Sequence, residues 1–223
     1  MYIQEILDIL DKNVDTFVTF PVTAEEQDLI ADEFIDIGGF PKTTGLMDCT
    51  HVKGHPPKES AQTYVNRKGD FSINVQVVCD ARLRIRNFNA SWPGSAHDAH
   101  ILRMSNVWEA CESGLLRDKH ILVDSGYPNR NWLLSVFLNP SSREQRRYNR
   151  SQRKTRVYVE CLFGQWKREF SILNRVRLHV DYIPKVVAVC AMLRNIRIDR
   201  GLTKPMRAEE GRVGKEGRSR WRP

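Results

Sequence analysis

An α/β fold, a mixed sheet flanked by helices, is what this 223-residue sequence predicts. Three β-rich segments follow one another between residues 44 and 92, the third returning after a short turn. A helical stretch then precedes a further apolar strand. Beyond residue 157, apolar residues recur every fourth position, the repeat of a buried helix face. At 41% hydrophobic residues the chain can supply a core of domain size.

The elements can be justified in order. Ile3, Ile6, Leu7 and Leu10 fall at helical spacing. A second helix opens at Thr23, with Glu26 completing a capping box, and Gly38, Gly39 and Pro41 stop it. "TGLMDCTHV" alternates as a strand, with Leu46, Asp48 and Thr50 on one side. "FSINVQVVCD" and "RLRIRNFNASW" extend it to an antiparallel meander. "SAHDAHILRMSNVWEAC" reads as one helix with Ser95 as N-cap, and "HILVD" as a fourth strand ending in an acid. "SSREQRRYNRSQRKTR" is a polar, arginine-crowded stretch. It leads into the helix "VYVECLFGQWKREFSIL", whose stripe is Tyr158, Leu162, Trp166 and Phe170. The helix "IPKVVAVCAMLRNIRI" closes the folded part. The division expected is N-terminal helices over 1–40, a core over 41–200 and a disordered basic tail over 201–223, where little can be buried.

Three strands, a helix, a strand and a helix is the order of a ribonuclease-H-like core. Such a core draws acids from three remote segments: Asp48 in strand 1, Asp124 at the end of strand 4, and Glu160 on the following helix. A charge within an apolar strand is costly unless it is paired or metal-bound. Carboxylates suit hard cations, Mg²⁺ or Mn²⁺, and two such ions about 3.5–4 Å apart are a known arrangement for phosphodiester hydrolysis. Each acid taken alone also fits a cap, a turn or a surface charge. Beside Glu160 stand Arg156, Val157, Gly164 and Lys167 at helical spacings. Gly164 costs up to about 1 kcal/mol relative to alanine inside a helix, which invites a close-approach reason.

The motifs "GLMDCTHV", "YVNRKGDFSINVQVVCD", "WPGSAHDAHILRMS", "ILVDSGYP" and "VECLFGQWKREFSIL" stand in the order found in PIF/Harbinger transposases and the nucleases derived from them. From about residue 20 to residue 200 the chain resembles that family. The resemblance implies an Asp-Asp-Glu catalytic and metal-binding triad at Asp48, Asp124 and Glu160. Between the last two lie 35 residues, a spacing familiar among such enzymes. It implies two divalent ions, Mg²⁺ or Mn²⁺, DNA as substrate, a nuclear protein with some cytoplasmic presence, and a Myb-like DNA-binding protein as partner. Family members carry a helix-turn-helix region ahead of the core. Only two short helices precede it here, so site recognition is expected to come from elsewhere. Arg194 and Phe71 stand where the family favours histidine.

Secondary candidates follow. Arg143, Arg146, Arg147, Arg150, Arg153, Lys154, Arg156 and Lys167 could contact phosphates, or solvate a loop and a helix face. Tyr148, within the run, could stack on a base. His97 and Asp98 form the family's "HD" pair and could lie beside the metal site, although Ser95 and Asp98 also read as a helix cap. Cys49, His51 and His55 lack a second ligand pair at zinc spacing.

A net charge of +8 favours an anionic partner. No apolar run approaches the roughly 18 residues of a membrane span. The acidic N-terminus does not resemble a signal peptide. Five scattered cysteines argue against a disulfide framework, so the expectation is a soluble intracellular protein. Two functions compete: a metal-dependent endonuclease, and a catalytically silent relative that binds DNA or protein.

Overall fold

The structure, a computed structural model, describes residues 2–55 and 61–203. The elements are α1 (Tyr2–Asp11), α2 (Val14–Phe17), α3 (Ala24–Gly38), β1 (Thr43–His55), β2 (Ser72–Cys79), β3 (Ile85–Pro93), α4 (Asp98–Arg103) and α5 (Asn106–Glu112). After these come β4 (His120–Leu122), β5 (Leu133–Leu134), α6 (Arg143–Glu169), β6 (Arg175–His179) and α7 (Ile183–Asp199). The expected basic tail lies, beyond residue 203, outside the described residues.

The sheet runs β3-β2-β1-β4-β5, with β6 also paired to β1. β1, β2 and β3 form the antiparallel meander, whereas β4 and β5 run parallel to β1. This is the mixed sheet of a ribonuclease-H-like core. Because β2 occupies one edge of β1 along its length, β4 and β6 must share the other. β4 pairs with Thr43–Leu46 and β6 with Lys53 and His55. The stretch between them, Asp48 to Val52, is therefore an interruption in that edge.

Side-chain alternation along β1 feeds two cores. Leu46 and Val52 join Val75 and Val77 of β2, Leu162 and Trp166 of α6, and Ile183 and Val187 of α7. Met47, on the opposite face, packs with Val78, Ile121, Leu102, Val107 and Trp132 beneath α4 and α5. α3 is capped as its sequence specifies: Thr23 Oγ1 accepts from the Glu26 N–H at 3.2 Å, and Gly39 ends the helix at φ 66°. The Glu26 carboxylate does not return to the cap but pairs with Arg86 at 2.7 Å.

Three local expectations are corrected. The helix expected over 95–111 is two helices, because Ser105 Oγ accepts from the Trp108 N–H and starts α5 afresh. Its first half is N-capped by His97 rather than Ser95, and without a side-chain cap bond. The arginine-rich stretch is helical throughout, part of the 27-residue α6. A full capping box between Ser142 and Gln145 starts that helix, and buried polar residues anchor it. Asn149 exchanges two 2.8 Å hydrogen bonds with the Phe137 backbone, and Gln152 donates to the Val123 carbonyl at 2.7 Å. Tyr148 is a packing residue: its ring meets Phe40 and Phe137 edge-on, and its hydroxyl donates to the Ser135 carbonyl.

Candidate metal centre

Register carries the first two acids to the same place. Leu46 pairs with Leu122 across the parallel β1–β4 ladder, and both side chains enter one core. Two residues further along each chain come Asp48 and Asp124, on that same face by the period of two. β4 has ended by then, so Asp124 stands in a turn whose Gly126 N–H donates to its Oδ1 at 2.8 Å. Asp48 faces the interruption between β4 and β6.

α6 crosses this interruption and supplies the third acid. Val159, Leu162 and Trp166 are buried against the sheet, which turns Glu160 toward Asp48. Arg156, one helical turn before Glu160, joins the two: its Nη1 donates to Asp48 Oδ2 at 2.8 Å and its Nη2 to Glu160 Oε1 at 2.7 Å. The expected nucleic-acid contact at Arg156 is, in this state, an internal ion pair. The Arg156 and Asp48 side chains are 16% and 19% exposed, so water screens the pair only partly.

Burial raises the Asp48 carboxyl from its ordinary 3.8 to about 6; the Arg156 charge and the Cys49 N–H oppose the rise, and the Asp124 charge adds to it.

Among the described residues no three His, Cys, Asp or Glu side chains are gathered as a ready metal site. The donor set nevertheless fits a divalent cation. Two carboxylates already converge on one cationic group, the Arg156 guanidinium, which stands where positive charge is demanded. All are hard oxygen donors, of the kind Mg²⁺ and Mn²⁺ take.

The other candidates distribute as follows. Arg143, Arg146, Arg147, Arg150, Arg153 and Lys154 are exposed along the first half of α6, and Arg146 also bonds the Pro140 and Ser141 carbonyls. Lys167 is half-buried two turns past Glu160, its Nζ donating to the His51 carbonyl at 2.7 Å. Burial brings its amine down to about 8, and the charges of Lys53 and Lys68 add to the effect. Asp98 Oδ1 accepts from Asn74 Nδ2 at 2.8 Å, and His97 Nδ1 meets Arg67 Nη2 at 3.0 Å. Cys49 Sγ contacts the Tyr127 hydroxyl at 3.3 Å, and His51 Nδ1 contacts Ser72 Oγ, so neither belongs to a zinc cluster. Sequence reasoning missed the bridging role of Arg156. Its spacing to Glu160 was visible, but its contact to Asp48, 108 residues away, was not.

A ribonuclease-H-like sheet with acids aimed at one interrupted edge defines a class of nuclease. A family model described as DDE superfamily endonuclease matches residues 47–195, and the chain belongs to that family. Among curated proteins it is 31% identical over 204 residues to the mouse protein named "Putative nuclease HARBI1", and 29% identical to its human counterpart. Each alignment covers 90% of this chain and 58% of the relative. It is 29% identical over 191 residues to the Arabidopsis thaliana "Protein ALP1-like", covering 77% of this chain and 47% of that protein. The chain thus spans between about half and three fifths of the length of these curated relatives. No solved structure matches it significantly.

Proposed function

We propose that the protein is a divalent-metal-dependent DNA endonuclease of transposase descent, in which Asp48, Asp124 and Glu160 hold Mg²⁺ or Mn²⁺. One observation carries this reading: Asp48 and Glu160 converge on a single cationic group, the Arg156 guanidinium, where the β1 edge is interrupted and the Asp124 charge acts on Asp48. Divalent ions bound there would supply the Lewis acidity for in-line hydrolysis of a phosphodiester.

The chain's own residues do the rest. β1 carries Asp48, the turn that follows β4 carries Asp124, and α6 brings Glu160 in from the side. Arg156 holds Asp48 and Glu160 together, and were divalent ions bound by the three acids, its guanidinium would be available to a phosphate. The exposed arginines of α6 contact the DNA backbone and position the strand without reading its sequence. Site recognition then falls to a partner, a Myb-like DNA-binding protein, and the site of action to the nucleus.

A second reading, a catalytically silent module that binds DNA or protein, is favoured by one feature. Arg156 pairs with both Asp48 and Glu160 and offsets one of their two negative charges from within the chain. Plasmid nicking separates the two. With Mg²⁺ or Mn²⁺ the wild type is expected to nick supercoiled DNA, and Asp124→Asn to lose at least a hundredfold in rate, on the order of 3 kcal/mol. Equal nicking by both proteins would remove the triad from the chemistry; DNA binding with nicking by neither would establish the silent module.

A further inference from the structure

We propose that a second anion site, formed by Arg67 and Lys68 together with Lys167, holds the phosphodiester backbone of the DNA strand a few nucleotides from the cut. This rests on the nuclease reading and extends it to residues outside the carboxylate cluster and the arginine run. Two separate segments build the site, the turn before β2 and the far half of α6, and Lys167 is fixed to β1 by its bond to the His51 carbonyl.

The turn is held in place by buried polar groups. Asn66, 7% exposed, accepts with its Oδ1 from the N–H groups of Lys68 (2.9 Å) and Asp70 (3.2 Å), and its Nδ2 donates to Ser72 Oγ at 3.0 Å. Ser72 Oγ in turn meets His51 Nδ1 at 3.1 Å. Gly69 takes a left-handed φ of 79° at the tip. Gly94 presses from below, so closely that a Cβ there would stand 2.4 Å from Ser72 Oγ. The result is a fixed loop whose two outward side chains, Arg67 and Lys68, are both exposed cations.

Among the described residues none of the three cations has an ion-pair partner: Arg67 Nη2 meets the His97 ring and Lys167 donates to a backbone carbonyl. Of the nearby acids, Asp70 pairs with Lys53 at 2.8 Å, and Asp98, which accepts from the neutral amide of Asn74, leaves one negative charge against the three cations. Lys167, Lys68 and Arg67 all lie near enough to His51 to disfavour its protonation, after burial and against the opposing charge of Asp98. Three cations gathered around His51 favour a polyanion over a single carboxylate.

Position along α6 ties the cluster to the cut. Glu160, Gly164 and Lys167 share one helix face, and seven residues of rise separate the first from the last by about 10 Å. At about 3.4 Å per nucleotide along one strand, that is roughly three nucleotides. Gly164 leaves the path bare, because a Cβ there would meet nothing within 4 Å.

Anisotropy of a fluorescent DNA duplex, titrated in EDTA so that no cutting occurs, tests the site. Arg67→Ala/Lys68→Ala is expected to weaken binding about tenfold at about 100 mM salt and to reduce the slope of log K against log salt by about 2. Lys167→Met, which keeps the half-buried stem, should reduce the slope by about 1. Lys12→Ala/Lys185→Ala removes the same charge from the α1–α7 side and should leave affinity within about twofold. Wild-type binding with unchanged affinity and slope in the Arg67/Lys68 variant would overturn this site while leaving the nuclease reading intact. A wild type that fails to bind DNA at all would overturn both.

Discussion

Asp48 concentrates the conflict on which the site is built. Its carboxyl is drawn up to about 6 because it is held out of water, so its ionised form destabilises the folded state at neutral pH. Folding takes up a proton at this group between pH 3.8 and about 6; stability is fullest below that window and declines as pH rises through it. The shift corresponds to at most about 3 kcal/mol at neutral pH. Asp48→Asn is therefore expected to melt higher than wild type at pH 7 in EDTA, and the two curves to meet near pH 4, as thermal denaturation monitored by circular dichroism will show. A variant less stable than wild type at pH 7 would remove the burial argument. Arg194 presents the opposite case, a buried charge fully employed. It is 1% exposed and donates to Glu169 Oε2 at 2.8 Å, Gln165 Oε1 at 3.1 Å and the Leu83 carbonyl at 3.1 Å, tying α7 to α6 and the β2–β3 turn. Arg194→Ala should cost about 3–5 kcal/mol in urea unfolding, since Glu169 is left without its partner. In the sequence this arginine was visible only as a departure from a familiar histidine. Its three partners come from residues that no local pattern connects.

Two adjacent glycines at the end of α3 show how element-level reasons diverge. Gly39 provides the left-handed cap. Gly38 is required by a crossing: a Cβ there would stand 1.9 Å from Thr155 Oγ1, where α6 passes over α3. Ser151 Oγ donates to the Gly38 carbonyl at 2.6 Å in the same contact. Gly38→Ala is expected to cost about 1–3 kcal/mol by forcing the helices apart. An unchanged unfolding midpoint would disprove the close approach. The sequence marked both glycines as a helix stop, which describes Gly39 and not the demand on Gly38. The arginine stretch was misread for a related reason. Asn149, Gln152 and Thr155 look like solvated polar residues, yet each is buried in α6, with Asn149 and Gln152 bonded to remote backbone. Short β5 and β6 escaped notice because two and five residues carry little periodicity. By contrast, β1 to β4 and α7 were legible from alternation and apolar runs, since burial on one or two faces writes itself directly into sequence.

At the scale of the whole molecule, the sheet edge of β1 organises function. β4 and β6 leave Asp48 to Val52 uncovered between them, and α6 spans that opening with Glu160, Gly164 and Lys167. Exposed arginines lie toward one end of α6, and the Arg67, Lys68 and Lys167 cluster toward the other. Exposed positive charge thus stands on both sides of the acids along α6. Asp48, Asp124 and Glu160 stand out in the sequence because a charge within an apolar strand, a charge at a strand end and a charge beside a core stripe are each anomalous. The guanidinium that joins two of them does not, because its role depends on tertiary distance. That Asp48, Asp124 and Glu160 act as one metal centre is the central claim, and Mn²⁺ binding followed by electron paramagnetic resonance tests it most directly. The wild type should bind Mn²⁺, and Asp48→Asn, Asp124→Asn and Glu160→Gln should each weaken binding at least about tenfold, on the order of 1.4 kcal/mol. Undiminished Mn²⁺ binding in all three variants would contradict the account.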